Sequence, residues 1–216
     1  MKKVLMITSG LSFEDIGDIS FILPELSHTT QFFNINIISL TNKPSSQIKE
    51  IDCNGVMVSV RSLSLPKLGG GWKVLKALVL MFNIEFLKEA MVVLSNREGS
   101  FFKKVRMLAG IWSSATRIKN YINKNYDLSD YSALYSYWFD NRALACVMLK
   151  KQYPHLKIVT RAHGGDLYKN ANPARYQPAK LYMDKNIDMI AFVSRHGLEY
   201  YRTHFSGPGT KKCNLF

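Results

Sequence analysis

Eight consecutive residues, Arg161-Ala162-His163-Gly164-Gly165-Asp166-Leu167-Tyr168, gather a guanidinium, an imidazole, two glycines, a carboxylate and a phenol. A neutral imidazole can donate one hydrogen bond and accept another, which suits contact with a hydroxyl group. The apolar run Leu156 to Thr160 just before it reads as a short buried strand. A polar run rich in Asn and Pro, Lys169 to Pro178, follows. In open α/β sheets, ligands bind outside the carboxyl ends of the strands, so this loop has the address of a site. Taken from the residues alone, His163 is either a site residue or a polar loop residue without a role. Asp166 either contacts a ligand or caps a helix and braces the loop. Arg161 either neutralises a phosphate or holds Asp166, and Tyr168 reads as packing.

The elements that position this loop come from a strand–helix alternation. Val4 to Ile7 is apolar and stops at Thr8-Ser9-Gly10, too short for the core of a signal peptide and consistent with a buried first strand. Gly17-Asp18 opens a helical pattern, with Asp18 as N-cap and Phe21, Ile22 and Leu26 on one side. Ile35 to Leu40 and Val56 to Val60 read as strands, while Lys43 to Asp52 is polar and at most a short helix. Ala133 to Tyr137 is a fourth strand, and Trp138-Phe139-Asp140 turns into a helix reaching Lys151. Lys157 to Arg161 and Ile187 to Val193 complete the strands, and Ser194 caps a helix ending near His204. This alternation predicts an α/β, Rossmann-like, doubly wound and mostly parallel sheet with helices on both faces.

The chain has 216 residues, enough for a sizeable core, and 29 Lys and Arg against 16 Asp and Glu give a net charge of +13. Such an excess favours an anionic partner: nucleic acid, anionic lipid or a phosphorylated ligand. Cys53, Cys146 and Cys213 are widely spaced and odd in number, which indicates neither a disulfide framework nor a zinc site and suits a reducing cytosol. There is no P-loop and no G-x-G-x-x-G. No nucleic-acid-binding motif occurs either, and the basic residues interleave with aliphatic runs, so a specific nucleic-acid partner is not expected.

Residues 63–124 break the alternation. Gly69-Gly70-Gly71 interrupts the backbone as a mobile loop or a lid, Trp72 to Leu94 reads as one long apolar helix, and Phe101 to Asn123 as a second. Between Lys67 and Lys124 there are eleven Lys and Arg and three Glu. The charges interrupt any span long enough to cross a bilayer. Two readings stand: core-packed helices with solvated lysines, or a surface that lies on a membrane. In the second reading Trp72, Phe82, Phe86, Phe101 and Phe102 sit near lipid, and Lys103, Lys104 and Arg106 sit at headgroups.

Arg161 to Tyr168, with Asp188 to Ser194 and Gly197 beyond, resembles the N-terminal half of retaining glycosyltransferases of the GT-B fold. It is family 4-like, and similar to bacterial enzymes that build capsule or lipopolysaccharide outer chains. Leu134 to Trp138 and the opening Val4 to Gly10, with Gly17-Asp18, Phe21 and Glu25, carry the same resemblance. The resemblance implies an acceptor-side domain over residues 1–205, followed by the start of an interdomain linker at 206–216, with a C-terminal donor domain missing. It implies His163 as the catalytic residue, reaching the donor sugar, with Ser9, Gly10, Arg161, Gly164 and Asp166 in substrate and donor binding. Backbone N–H groups near such a glycine turn suit a leaving diphosphate. The co-substrate implied is a nucleotide-diphosphate sugar, with no metal and no other cofactor. The acceptor implied is a saccharide, lipid-linked, at the cytoplasmic face of the plasma membrane.

Overall fold

The structure is a computed structural model and describes residues 1–9, 11, 19–41, 48–64, 80, 83–95, 98–205 and 213–215. Gly10, Asp18, Gly69 to Gly71, Trp72 and Phe82 lie outside the described residues, so the expectations placed on them do too.

Strand β1 (Lys2–Ser9) is the centre of the sheet, and Leu5, Met6, Ile7 and Thr8 are all buried. An unbroken apolar run is what a parallel strand covered on both faces requires. In chain order there follow α1 (Ile19–Thr29), β2 (Phe33–Thr41), β3 (Ile48–Cys53), β4 (Val56–Ser64), α2 (Ile84–Ser95) and α3 (Phe101–Asn125). Then come β5 (Tyr131–Ser136), α4 (Asn141–Lys150), β6 (Lys157–Ala162), the single turn α5 (Gly164–Leu167), α6 (Lys180–Asn186), β7 (Met189–Phe192), α7 (Arg195–His204) and β8 (Cys213–Leu215).

These strands form one eight-stranded sheet of order β3-β4-β2-β1-β5-β6-β7-β8. Every pairing is parallel except β3 with β4. The architecture is the α/β, mostly parallel one that the alternation predicts. From β1 the chain steps to β2 and onward to one edge, then returns to β5 on the other side of β1 and proceeds to the opposite edge. Right-handed crossovers place helices of opposite stepping direction on opposite faces. Accordingly, Ile22 and Leu26 of α1 pack with Met6, Ile37 and Val60. Residues of α3, α4, α6 and α7 pack with Leu5, Ile7, Leu134 and Ile158 on the other face.

Three local readings are corrected. The polar stretch before Cys53 is not helical: Ile48–Cys53 is an antiparallel edge strand joined to β4 by Asn54-Gly55, with φ of 57° and 83°. Positive φ at both turn residues is the type I′ requirement, which Asn-Gly meets at little cost. Phe21 faces solvent rather than sharing the buried side of Ile22 and Leu26. Cys213 to Leu215, expected in the linker, adds a short strand that pairs with β7.

The β6–β7 junction is tied by Asp188. Its carboxylate accepts from the Ile158 N–H at 2.9 Å, from Lys150 Nζ, and from Lys157 Nζ at 3.3 Å. Burial alone pushes this carboxyl up, but the hydrogen bonds from Lys150, Ile158 and Lys157 outweigh it and hold the group below the ordinary aspartate range. A folded-state pKa below the unfolded one gives stability above the unfolded pKa that is lost as pH falls through the folded value. Asp188→Ala is therefore expected to cost about 1–3 kcal/mol at neutral pH. Urea unfolding should show the gap between parent and variant narrowing below about pH 4.

Candidate functional site at the strand order reversal

Parallel register aligns the carboxyl ends of the central strands. Ile7 pairs with Ser136, Ser136 with Thr160, and Thr160 with Ile190. Two residues further along each strand direction lie Ser9, Trp138, Ala162 and Phe192, at one level of one sheet edge. The direction of stepping reverses between β1 and β5, which is where open sheets leave a crevice. His163 follows β6, one strand from that reversal. Ser9 ends β1, two strands from His163, hence about 10 Å away at the backbone.

His163 is held by its backbone and by its ring. Asp166 Oδ1 accepts the His163 N–H at 2.8 Å, and Asp166 Oδ2 accepts the Phe139 N–H at 2.7 Å. Asp166 is buried, and its two oxygens join the loop after β5 to the loop after β6. Of the two readings for Asp166, the structure shows the brace. The imidazole lies 4.3 Å from the Trp138 ring, centroid to centroid, and 5.3 Å from Tyr137. Arg142 sits over Trp138 at 5.4 Å. The His163 Nδ1 is buried without a hydrogen-bond partner, 3.9 Å from Asp166 Oδ2. An imidazole can serve a ligand hydroxyl as donor or as acceptor.

Arg161 points to the α1 face and does not hold Asp166. It pairs with Glu25 of α1, donates to the Tyr137 hydroxyl at 3.2 Å, and lies over the Tyr137 ring at 5.2 Å. Tyr135 donates to the other Glu25 oxygen at 2.7 Å. Burial first, and the Glu25 charge second, push the Tyr135 phenol far up, so it stays protonated. A phosphate contact from Arg161 would compete with Glu25, a partner that the sequence reading did not include. Gly164 is small for a reason: a Cβ there would come within 3.3 Å of the Tyr168 ring. Tyr168 itself packs edge-on against Tyr200 at 4.8 Å.

Two residues that the sequence reading passed over hold this loop and the loop after β5. Gln177 Nε2 donates to Gly165 O at 3.1 Å and to Tyr168 O at 2.8 Å. Lys180, 3% exposed, donates to Phe139 O, with its ammonium 3.7 Å from the Phe139 ring centroid. Nothing in a lone lysine after a polar run marks it as buried. Trp138 was legible only as part of Tyr135-x-Tyr137-Trp138; its stacking on His163 needs the register of β5 against β6.

No protein-family model matches the sequence, and no curated protein matches it. Solved structures do match in fold. A sucrose-phosphate synthase from Thermosynechococcus elongatus superposes with a TM-score of 0.56 at 11% identity, over 100% of this chain and 47% of its own. The chain has the fold of one Rossmann-like half of a GT-B enzyme. An α,α-trehalose-phosphate synthase (UDP-forming) from Burkholderia xenovorans, in complex with glucose-6-phosphate, gives 0.52 at 8% identity, over 100% of this chain and 50% of its own. A UDP-GlcNAc 2-epimerase from Methanocaldococcus jannaschii gives 0.50 at 9%, over 99% and 45%. The chain thus spans about half the length of these proteins, and the likeness at such identities is one of fold.

Burial pushes the Lys180 ammonium down to about 8, against the attraction of Asp166 and Asp140. Between that value and the unfolded-chain value near 10.4, the unfolded state holds a proton that the folded state does not, so this group's contribution to stability rises with pH. The difference in unfolding free energy, parent minus Lys180→Met, should increase by on the order of 3 kcal/mol between about pH 7 and about pH 10. Denaturant titrations at the two pH values check this. A flat difference would place the Lys180 charge in a wetter environment than the fold gives it.

Proposed function

We propose that this chain is the acceptor-side half of a glycosyltransferase. The donor is a nucleotide-diphosphate sugar, and the acceptor is a saccharide, lipid-linked, in surface-polysaccharide synthesis. The observation that carries this reading is the placement of His163. Its imidazole stands at the carboxyl edge of the sheet beside the reversal of strand order, its backbone braced by Asp166. The fold shared with sucrose-phosphate and trehalose-phosphate synthases supports it. So does the sequence resemblance around Arg161 to Tyr168.

In this reading the bond from the sugar's anomeric carbon to the diphosphate oxygen breaks, a bond to an acceptor hydroxyl oxygen forms, and that hydroxyl's proton passes to the departing diphosphate. The His163 imidazole hydrogen-bonds a donor-sugar hydroxyl and fixes its orientation, while the tilted contact with Trp138 fixes the ring. The end of β1 at Ser9 faces the same edge and is assigned to the diphosphate side. Arg161 contributes indirectly, through Glu25, by holding α1 against β5 and β6. A second Rossmann-like domain supplies most donor contacts, in cis or in trans.

Trp138 reports on this site directly. Titrating UDP-, GDP- and ADP-sugars into the chain joined to a donor half is expected to change tryptophan emission for at least one of them. The change should vanish in Trp138→Phe and weaken in His163→Ala, with circular dichroism unchanged in both. A panel in which no sugar nucleotide perturbs Trp138 would remove the site. When the chain is joined to a donor half, His163→Ala should lower kcat on the order of 100-fold. The 216-residue chain by itself should show little turnover.

A further inference from the structure

We propose that the cavity between α2 and α6 is a binding site for a small phosphate monoester. It lies at the edge of the sheet opposite to His163, and the proposal is independent of the transferase reading.

The chain path sets the place. Helix α4 returns from the carboxyl edge and ends at Lys150, before β6 begins, and α6 ends at Asn186, before β7 begins. Lys151 and Asn186 both line the cavity, which therefore stands at the amino ends of the strands. Helix α2 forms the other wall. It turns Phe86, Glu89 and Val93 inward, where Phe86 meets Trp112 of α3 edge-on at 5.6 Å. Glu89 accepts the Tyr182 N–H at 2.7 Å, which ties α2 to α6 along the cavity. The enclosed volume is about 320 Å3, within the range of small-molecule sites.

Three ammonium groups from separate elements line this space: Lys88 of α2, Lys151 after α4 and Lys185 of α6. Two carboxylates line it with them and do not cancel the three. Glu85 is shared, 3.6 Å from Lys88 and 3.7 Å from Lys151, both longer than a hydrogen bond. Each of those lysines keeps N–H donors for a ligand. Lys185 attracts Glu89 from a distance, with no ion pair or hydrogen bond among the described residues. Glu89 is 4% exposed, and burial, the largest influence on it, raises its carboxyl above the ordinary glutamate range. A nearby anion raises it further and draws in a proton.

The kind of cation decides the class of anion. Among the described residues no arginine lines the cavity. An arginine fork matches a planar carboxylate, whereas lysines act as point charges that can surround a tetrahedral phosphoryl group. The rest of the lining is apolar: Val92 and Leu181, with the Tyr182 ring beneath Lys151 at 5.3 Å. A bare phosphate leaves those groups without a partner, and the organic part of an ester covers them. The residues expected at a membrane surface are not the ones gathered here. Phe86 and Lys104 are buried, Lys104 on the α3 face that also carries Leu108, Trp112 and Ala115. Lys103 and Arg106 are exposed and do not line the cavity.

The test is isothermal titration of the 216-residue chain with glycerol phosphate and with inorganic phosphate, at one ionic strength set by sodium chloride. Saturable binding of one equivalent of the ester is expected, with a dissociation constant at or below about 1 mM. Inorganic phosphate should bind more weakly. Lys151→Ala with Lys185→Ala should weaken ester binding by about tenfold or more. Lys103→Ala, which removes a charge elsewhere, should leave it unchanged. All three side chains are exposed, so thermal melting without ligand should match the parent. Absence of saturable binding overturns the proposal. So does parental affinity in the double variant, which assigns the binding to the net charge of +13. Equal affinity for the two probes assigns the cavity to free phosphate and overturns the ester.

Discussion

One buried carboxylate sets the geometry of the candidate site. Asp166 accepts an N–H from the loop after β5 and another from the loop after β6, so the two loops hang from the same pair of oxygens. Leaving either buried N–H without an acceptor costs about 1–3 kcal/mol, which makes the arrangement close to all-or-none. Trp138 and His163 meet ring to ring, tilted at 37°, because their backbone neighbours share that anchor. Lys180 lies beneath it, close enough to attract Asp166 while donating to Phe139 O. The position of the imidazole is thus fixed by groups that make no contact with the crevice themselves.

Much of the sheet was legible because parallel strands buried on both faces carry short apolar runs, as Val4 to Ile7 in β1 and Met189 to Phe192 in β7. The edge strand β3 was not, for the complementary reason. Only Ile51 and Cys53 are buried there, and Lys49, Glu50 and Asp52 face solvent, so a half-exposed strand resembles a polar loop. Asn54-Gly55 was the signal that would have found it. In α3 the helical period overrides residue character. Lys104 occupies a buried position because Leu108, Trp112 and Ala115 define that face, whereas its charge alone places it outside. The loop at Arg161 to Tyr168 was legible as an address. Its partners were not, because Glu25 and Trp138 reach it only through pairings between segments distant in sequence.

The side chains of that loop divide into two kinds of work. Asp166 and Arg161, both charged, are committed within the protein, to backbone N–H groups and to Glu25. His163 alone keeps a ring nitrogen without a hydrogen-bond partner among the described residues. Burial of charge without such partners is costly, so the ionised groups of this loop serve as structure.

The pairing of β1 with β5 has a consequence for how the site comes into being. Strands β1 to β4 arise from the first 64 residues and β5 to β7 from residues 131–192, each set pairing largely among near neighbours in sequence. The β1–β5 contact closes the long loop between the two sets, and loop closure must be paid before the contact repays it. Ser9 belongs to one set and Trp138 and His163 to the other, so the crevice exists only where the two have docked. A ligand held across it draws on the same free energy that keeps the two halves of the sheet together, and binding at this edge stabilises the fold along its longest-range pairing.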